Sequence, residues 1–292
     1  MLRYAYNTNG TANHRLDDAL AFIADSGYDG VALTLDVHHL DPFAPDFAGR
    51  TKALARRLRE LKLGLVIETG ARYLLDPRAK HEPTLVTPDA AGRARRVDFL
   101  RRCLDVCAEC GGETVSFWAG VPRPGVDRAE AWDWLADGVA QVVALAAERG
   151  VAASLEPEPG MLVETVDDWR RLRAALGATG GALRLALDTG HCLATGDRDP
   201  AAAVRECRAD LGTIAVEDMR RGVHEHLPFG EGDMDTASVL RALADVGFDR
   251  LVTVELSRDS HRAHEMVPNA LAYLKDAERA GASVAERGGV SS

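Results

Sequence analysis

Aromatic residues make up only 5% of this 292-residue chain, and nowhere do about 18 apolar residues follow one another. The second absence argues against a membrane-spanning helix. The N-terminus, MLRYAYNTNG, also lacks the basic stretch and apolar run of a secretory leader. Positive charge is in deficit: 35 Lys and Arg stand against 45 Asp and Glu, a net charge of −10. Such a balance repels a phosphate backbone, so no nucleic-acid partner is expected. The five cysteines are odd in number and scattered, which fits reduced thiols in a cytoplasmic protein better than a disulfide framework. No GxGxxG follows the first apolar run, which disfavours a doubly wound dinucleotide-binding sheet, and no Gly/Ser-rich linker divides the chain.

What is present is a rhythm. Short β-rich runs at 3–8, 30–36, 63–69, 113–118, 151–156, 183–188, 211–217 and 251–256 alternate with longer amphipathic stretches such as LDDALAFIADSG and WDWLADGVAQVVALAAERG. About eight such units predict an α/β fold of one domain, a (β/α)8 TIM barrel over residues 1–280. The Gly- and Ser-rich segment 281–292 has no apolar period and is expected to be a disordered tail. Gly27, Gly64, Gly150 and Gly247, each just before a strand, are expected to end helices in the left-handed conformation. Thr165 with Asp168 reads as a capping box, and Asp235 or Thr236 as the cap of a late helix. Cys103, Cys107 and Cys110 have a spacing that could hold an iron–sulfur cluster. At offsets of four and seven on a helix, however, they share a face with Val97 and Leu100 and read as core.

In a barrel the C-terminal strand ends share one mouth, so the residues at which the apolar runs stop carry the chemistry. The late runs stop at carboxylates: Glu156 in ASLEP, Asp188 in LALDTGH, Glu217 and Asp218 in TIAVED, Glu255 in VTVELS. Any one of these could be a helix cap or a solvated loop charge. Four consecutive strands delivering acids to one rim instead call for a cation, and a divalent metal is the usual solution. Histidines lie near these acids: His191 three residues after Asp188, and His224 and His226 in RGVHEHLPFGEGD, a loop after the seventh strand. Mixed carboxylate and imidazole donors suit manganese, zinc, iron or cobalt better than calcium, with magnesium also allowed.

LEPEPG, LALDTGH, PFGEGDMD and VTVELS, in this order, resemble the xylose-isomerase-like barrel superfamily of sugar phosphate isomerases and epimerases, which includes ketose epimerases, inosose dehydratase and apurinic-site endonucleases. The resemblance covers residues 151–256 by motif and the N-terminal half by rhythm alone. It implies that Glu156, Asp188 and Glu255 are metal ligands and that His191 is the histidine of an Asp-x-x-His motif. Where many members carry a histidine within the seventh strand, this sequence has Ala215. His224 and His226 are the preferred substitutes, with Glu217 as another.

The implied activity is isomerisation or epimerisation of a sugar, sugar phosphate or cyclic polyol. A proton next to a carbonyl is removed through a metal-stabilised enediolate, with Glu156 and Glu255 on opposite sides of the substrate and His191 as a further catalytic residue; a dehydratase would share the first step and expel a β-hydroxyl with His191 or His226 as the acid. Substrate contacts are expected from Glu68, Arg72, His81, Trp118, Glu217 and Arg258, with Lys80 beside His81 in a loop suited to a phosphate or carboxylate. His38, His39 and His261 are weaker candidates. Two other functions fit the same residues: an endonuclease-like metal-dependent phosphodiesterase, and a non-catalytic barrel that binds a partner, which the alanine at 215 favours. The resemblance also allows a homo-oligomer, because related barrels often pair through their helical shell.

Overall fold

Along every strand, alternate side chains fall into two separate environments. Tyr4 and Tyr6, Val31 and Leu33, and Leu65 and Ile67 belong to the large core between sheet and helices. Ala5, Ala32 and Val66, between them in sequence, join Leu251 in a small cluster of their own. This is the two-residue period of a strand with one face outward and one inward. The strands close on themselves, so the inward set fills a lumen.

In the computed structural model, which describes residues 1–288 and side-chain surroundings through Gly281, the strands are β1 (Arg3–Asn7), β2 (Gly30–Thr34), β3 (Gly64–Glu68), β4 (Thr114–Trp118), β5 (Ala152–Glu156), β6 (Leu183–Asp188), β7 (Leu211–Val216) and β8 (Leu251–Val254). All pair in parallel in chain order, and β8 pairs with β1 to complete the expected (β/α)8 barrel. Between them run α1 (Leu16–Asp25), α2 (Phe47–Leu61), α3 (Ala90–Cys110), α4 (Arg128–Arg149), α5 (Val166–Ala175), α6 (Thr189–Thr195), α7 (Pro200–Cys207) and α8 (Thr236–Asp245), and α9 (Ala263–Gly288) follows β8. The tail expected over 281–292 overlaps the last turns of α9, and its residues 289–292 lie outside the described residues. No helix among the described residues is long and apolar enough to cross a membrane.

The local signals are realised with one correction. Thr165 and Asp168 form a reciprocal capping box at α5, and Asp235 caps α8 through Ser238 N–H. Gly27, Gly150 and Gly247 have positive φ, but at the end of α2 the left-handed residue is Lys62 (φ 57°). Gly64 instead opens β3, where a Cβ would stand 3.1 Å from Arg3 and 3.2 Å from Leu251 at the lumen floor. Cys103 and Cys107 are buried in α3 and Cys110 is half-buried; burial pushes the thiols of Cys107 and Cys110 up to about 12, as expected of core residues.

Above the apolar floor the lumen holds small hydroxyl side chains. Thr114 and Ser154 hydroxyls lie 2.8 Å apart, and Thr253 donates to the Ile214 carbonyl. The space is tight: a Cβ on Gly212 would lie 2.0 Å from Ser154 Oγ and 2.7 Å from Arg184 Cβ. Gly212→Ala is therefore expected to destabilise the barrel by about 1–3 kcal/mol through overpacking. Gly49→Ala, in α2 where a Cβ meets nothing within 4 Å, should cause no loss. Chemical denaturation of both variants checks the pair, and an unaffected Gly212→Ala protein would refute the tight-lumen account.

Candidate functional site

The inward parity carries straight up to the mouth. Glu68, Glu156, Asp188 and Glu255 stand an even number of residues from the inward Val66, Ser154, Ala186 and Thr253, and Glu217 an even number from Ala215. Five carboxylates from five strands therefore converge at the mouth, where there is a cavity of about 350 Å³. Glu68, Glu156 and Glu255 line it together with His191, His224 and His226. Arg72, Lys80, His81, Trp118 and Arg258 line it as well, so the expected cationic loop does reach the mouth. His38, His39 and His261 do not line it.

Asp188 ends β6 and caps α6, its Oδ1 accepting the His191 N–H at 3.0 Å. Capping uses only one oxygen; the other, Oδ2, is buried without a hydrogen-bond partner. His191, one turn into α6, has Nδ1 3.0 Å from the Pro157 carbonyl, an arrangement that orients the ring and leaves Nε2 bare. That nitrogen lies 3.6 Å from Asp188 Oδ2 and 3.8 Å from Glu158 Oε2. Glu156 Oε1 is 3.6 Å from the ring's Nδ1, and Ser116 Oγ donates to Glu156 Oε2 at 3.4 Å. Glu255 is held by the N-terminal segment: Asn9 Nδ2 donates to its Oε1 at 2.8 Å.

Ala215 pairs with Asp188 on one side and Thr253 on the other, so the row in which relatives are expected to carry a histidine holds only a methyl group. Glu217 stands one pleat nearer the rim. Expected to touch substrate, it is instead 0% exposed and absent from the cavity wall; neither oxygen accepts an N–H, its carboxyl interacts directly with that of Asp188, and His226 Nδ1 lies 4.0 Å from Oε1. Room for it comes from Gly190, where a Cβ would be 2.0 Å from that oxygen. The loop bearing His224 and His226 is pinned by Asp218, which accepts Gly230 N–H at 2.8 Å and Met234 N–H at 2.9 Å. Gly232 leaves space for that carboxylate, since a Cβ there would lie 2.3 Å from Asp218 Oδ1.

Crowded acids resist ionisation, apart from Asp188, where burial would raise the carboxyl but His191, Glu217 and His226 outweigh it and lower it. Burial, reinforced by neighbouring carboxylates, pushes Glu156 and Glu217 well up and raises Glu158; the same causes bring Glu68 to about 8. Burial would lower His191, but Asp188 and Glu158 outweigh it and raise the imidazole. His224 is pushed down to about 4 by burial and by the adjacent His191 and His226.

Three donor sets have ligand atoms all within 4.8 Å of one another: Glu156–Asp188–His191, Asp188–Glu217–His226 and His191–His224–His226. Buried Asp188 Oδ2, His191 Nε2 and His226 Nδ1 lack hydrogen-bond partners, which is the condition a metal ion relieves. The residues thus fit a divalent cation. Glu255 belongs to none of the three sets. Reading the sequence missed Glu158, which lines the cavity 3.6 Å from His224 and was already visible as the second acid of LEPEPG. It also missed Arg96, which no motif marks: buried, it donates to the carbonyls of His81 and Pro83 and lies 4.7 Å over the Trp118 ring.

Known proteins agree with this architecture. An L-ribulose 3-epimerase of Mesorhizobium japonicum is 25% identical over 245 residues, 82% of this chain and 74% of that protein. A solved structure of an L-ribulose 3-epimerase matches with a TM-score of 0.76 at 22% identity, covering 100% of this chain and 99% of the other. The IOLI protein with a bound zinc atom matches with a TM-score of 0.72 at 17% identity, covering 97% and 98%. A family model described as xylose isomerase-like TIM barrel matches residues 20–277. With a closed barrel and acids gathered at its mouth, this match over nearly the whole chain means that the protein belongs to the xylose isomerase-like TIM barrel family.

Proposed function

We propose that the chain is a divalent-metal-dependent isomerase or epimerase of a small sugar, sugar phosphate or cyclic polyol, working by proton abstraction next to a carbonyl. The observation that carries this reading is the convergence of Glu156, His191 and Glu255 on one cavity, backed by buried donors without partners. At about 350 Å³ the cavity lies near the lower end of the roughly 300–1,000 Å³ of small-molecule sites, which favours a monosaccharide-sized ligand over a polymer. The sugar epimerase among the relatives supports the same class of substrate.

Glu156, Asp188, His224 and His226, with His191, are the residues that would hold the cation. A bound cation would polarise the substrate carbonyl and offset the negative charge that builds as the neighbouring proton leaves. Glu156 on β5 and Glu255 beyond β8, with two strands between them, reach the cavity from different directions and are assigned to proton removal and return. Asn9, donating to one Glu255 oxygen, holds that carboxylate in a fixed orientation and leaves the other oxygen for the proton. His191, whose Nδ1 contact with the Pro157 carbonyl turns Nε2 toward Asp188 and Glu158, is assigned to the cation rather than to acid catalysis. Glu68, Arg72, His81, Trp118 and Arg258 are assigned to substrate binding; the wall with Trp118 suits the apolar face of a sugar ring, and Arg72 with Lys80 suits an anionic substituent.

Screening ketoses and cyclic polyols in deuterium oxide should reveal a substrate that takes up deuterium next to its carbonyl. Glu255→Gln should slow that exchange by about 10²–10⁴-fold, the usual worth of a positioned acid or base. Exchange at the wild-type rate would remove Glu255 from the mechanism. Dialysis against a chelator should abolish the exchange, and manganese, cobalt or zinc should restore it. The same ions at about 100 times their dissociation constant should stabilise the fold by about 2.7 kcal/mol, visible as a raised Tm. A metal-free protein that retains full activity would contradict the reading.

A further inference from the structure

We infer that Arg96, a buried residue of α3, is a positioning residue of the substrate cavity: its guanidinium holds the His81 segment by two backbone carbonyls and backs the Trp118 indole, so that both rings are fixed where they line the mouth. The inference rests on the reading that this cavity takes a small sugar or polyol, and goes beyond it by naming what sets the wall such a ligand meets.

Three observations carry it. First, Arg96 is only 3% exposed, yet it forms no ion pair among the described residues. Glu82, which stands between its two carbonyl partners in sequence, pairs with Arg123 instead at 3.4 Å. Burial draws the guanidinium down to about 10, which leaves it charged at neutral pH. A buried charge is costly unless its donors are used. Here Nε donates to the Pro83 carbonyl at 2.7 Å and a terminal nitrogen donates to the His81 carbonyl at 2.6 Å. Second, the segment it grips needs holding. His81 has φ 67°, the left-handed region that a residue with a Cβ enters at a cost. Its N–H donates to the Arg72 carbonyl at 2.6 Å and its own carbonyl is taken by Arg96, so the strained residue is pinned on both sides. Third, the same guanidinium reaches a second element. Its carbon lies 4.7 Å from the centre of the Trp118 ring, and His81 meets that ring edge-on at 5.5 Å. Arg96 itself does not line the cavity, so it acts on a ligand only through these two rings.

The held geometry also decides what His81 offers. Its Nδ1 is 2.7 Å from the Gly70 carbonyl, which can only accept. Burial lowers the imidazole, and the charges of Lys80, Arg96 and Arg72 add to that effect and outweigh the carbonyl, so the ring is neutral at neutral pH. A neutral ring beside a carbonyl carries its proton on Nδ1. Nε2, with no hydrogen bond among the described residues, is left to accept one from a substrate hydroxyl. Arginine suits this double task because its planar fork serves two carbonyls while its flat face lies against an indole; a lysine ammonium brings the charge without either.

Arg96→Met removes the fork and the charge, and Arg96→Lys keeps the charge alone. Arg93→Met is the comparison: three residues earlier on α3, Arg93 also donates to two carbonyls, those of Thr87 and Pro88, and lies over a tryptophan, Trp134, that does not line the cavity. Circular dichroism of the full-length proteins checks that each is folded, and should Arg96→Met not fold, Arg96→Lys carries both readouts. With the substrate found by deuterium exchange, each Arg96 variant should raise KM about tenfold, the worth of one hydrogen bond, at a kcat within about twofold of the wild type, while Arg93→Met changes neither. The second readout needs no substrate. Acrylamide quenching of tryptophan fluorescence should rise in the Arg96 variants, and that rise should vanish when the same comparison is made in a Trp118→Phe background. Wild-type KM or wild-type quenching in the Arg96 variants, or an equal KM rise in Arg93→Met, would overturn the inference. The outcome is separable from the proposed activity: if no ketose or polyol exchanges deuterium the isomerase reading falls alone, and quenching then decides, a rise confined to Trp118 supporting the role of Arg96 and its absence overturning it.

Discussion

The two-residue alternation of a strand, locked in by closure of the barrel, is the constraint on which the rest depends. Because β8 pairs with β1, every strand must turn the same parity of its residues into one lumen. Apolar positions of the other parity bind the helices, and the fold's stability comes from that layer. The lumen is left with a small apolar floor, a ring of hydroxyls and, where the strands end, acids. A slip of one residue in β5 would turn Glu156 into the helical layer and Leu155 into the mouth, which hydrophobic burial forbids. The packing that folds the chain and the geometry that gathers its carboxylates are thus a single requirement.

That gathering is costly. A buried polar atom left without a hydrogen bond forfeits about 1–3 kcal/mol, and a folded domain has only about 5–15 kcal/mol in all. Asp188, His191 and His226 each present such an atom. Their summed penalty is comparable to the whole stability of the chain, so protons or cations must compensate it. Proton uptake is one route, and the raised affinities of Glu156 and Glu217 reflect it. A bound dication is the other, and it reverses the effect, because a positive charge at the centre favours the ionised acids. Which route operates sets whether these residues enter a reaction as acids or as bases.

Much of this was legible in the sequence because it depends on local pattern. Glu156, Asp188 and Glu255 could be found as the charges that end apolar runs, since a run ends where the strand leaves the core. The capping box at Thr165 and the left-handed glycines before strands are equally local. Other features depend on what lies across space. That Gly64 serves the lumen floor while Lys62 turns the chain follows from Leu251, which lies on the far side of the closure. Whether Glu217 touches substrate or lies buried depends on Gly190 in another strand–helix unit. Arg96 carries no signature, because a helical arginine reads as solvated until a loop folds over it and offers its carbonyls. Whether the parity rule extends beyond a strand's last residue also decides Glu158, whose place in the cavity the motif displayed without marking.

The two halves of the chain divide the work unequally, and this ties the site to complete folding. The acids and imidazoles of the donor sets all come from residues 156–226, a stretch that forms one side of the barrel. The first half contributes restraint. Asn9 holds Glu255 across a sequence separation of 246 residues, and Arg72 donates to the Ser257 carbonyl across 185. Neither bond can form until β1 has met β8. Contacts of such separation are entropically the most expensive to make and form only as the chain closes. An open or partly folded barrel therefore lacks both the group that orients Glu255 and the bond that holds Arg72 at the mouth. Closure of the barrel is therefore what turns a set of acids into a cavity whose Glu255 is held in place by Asn9.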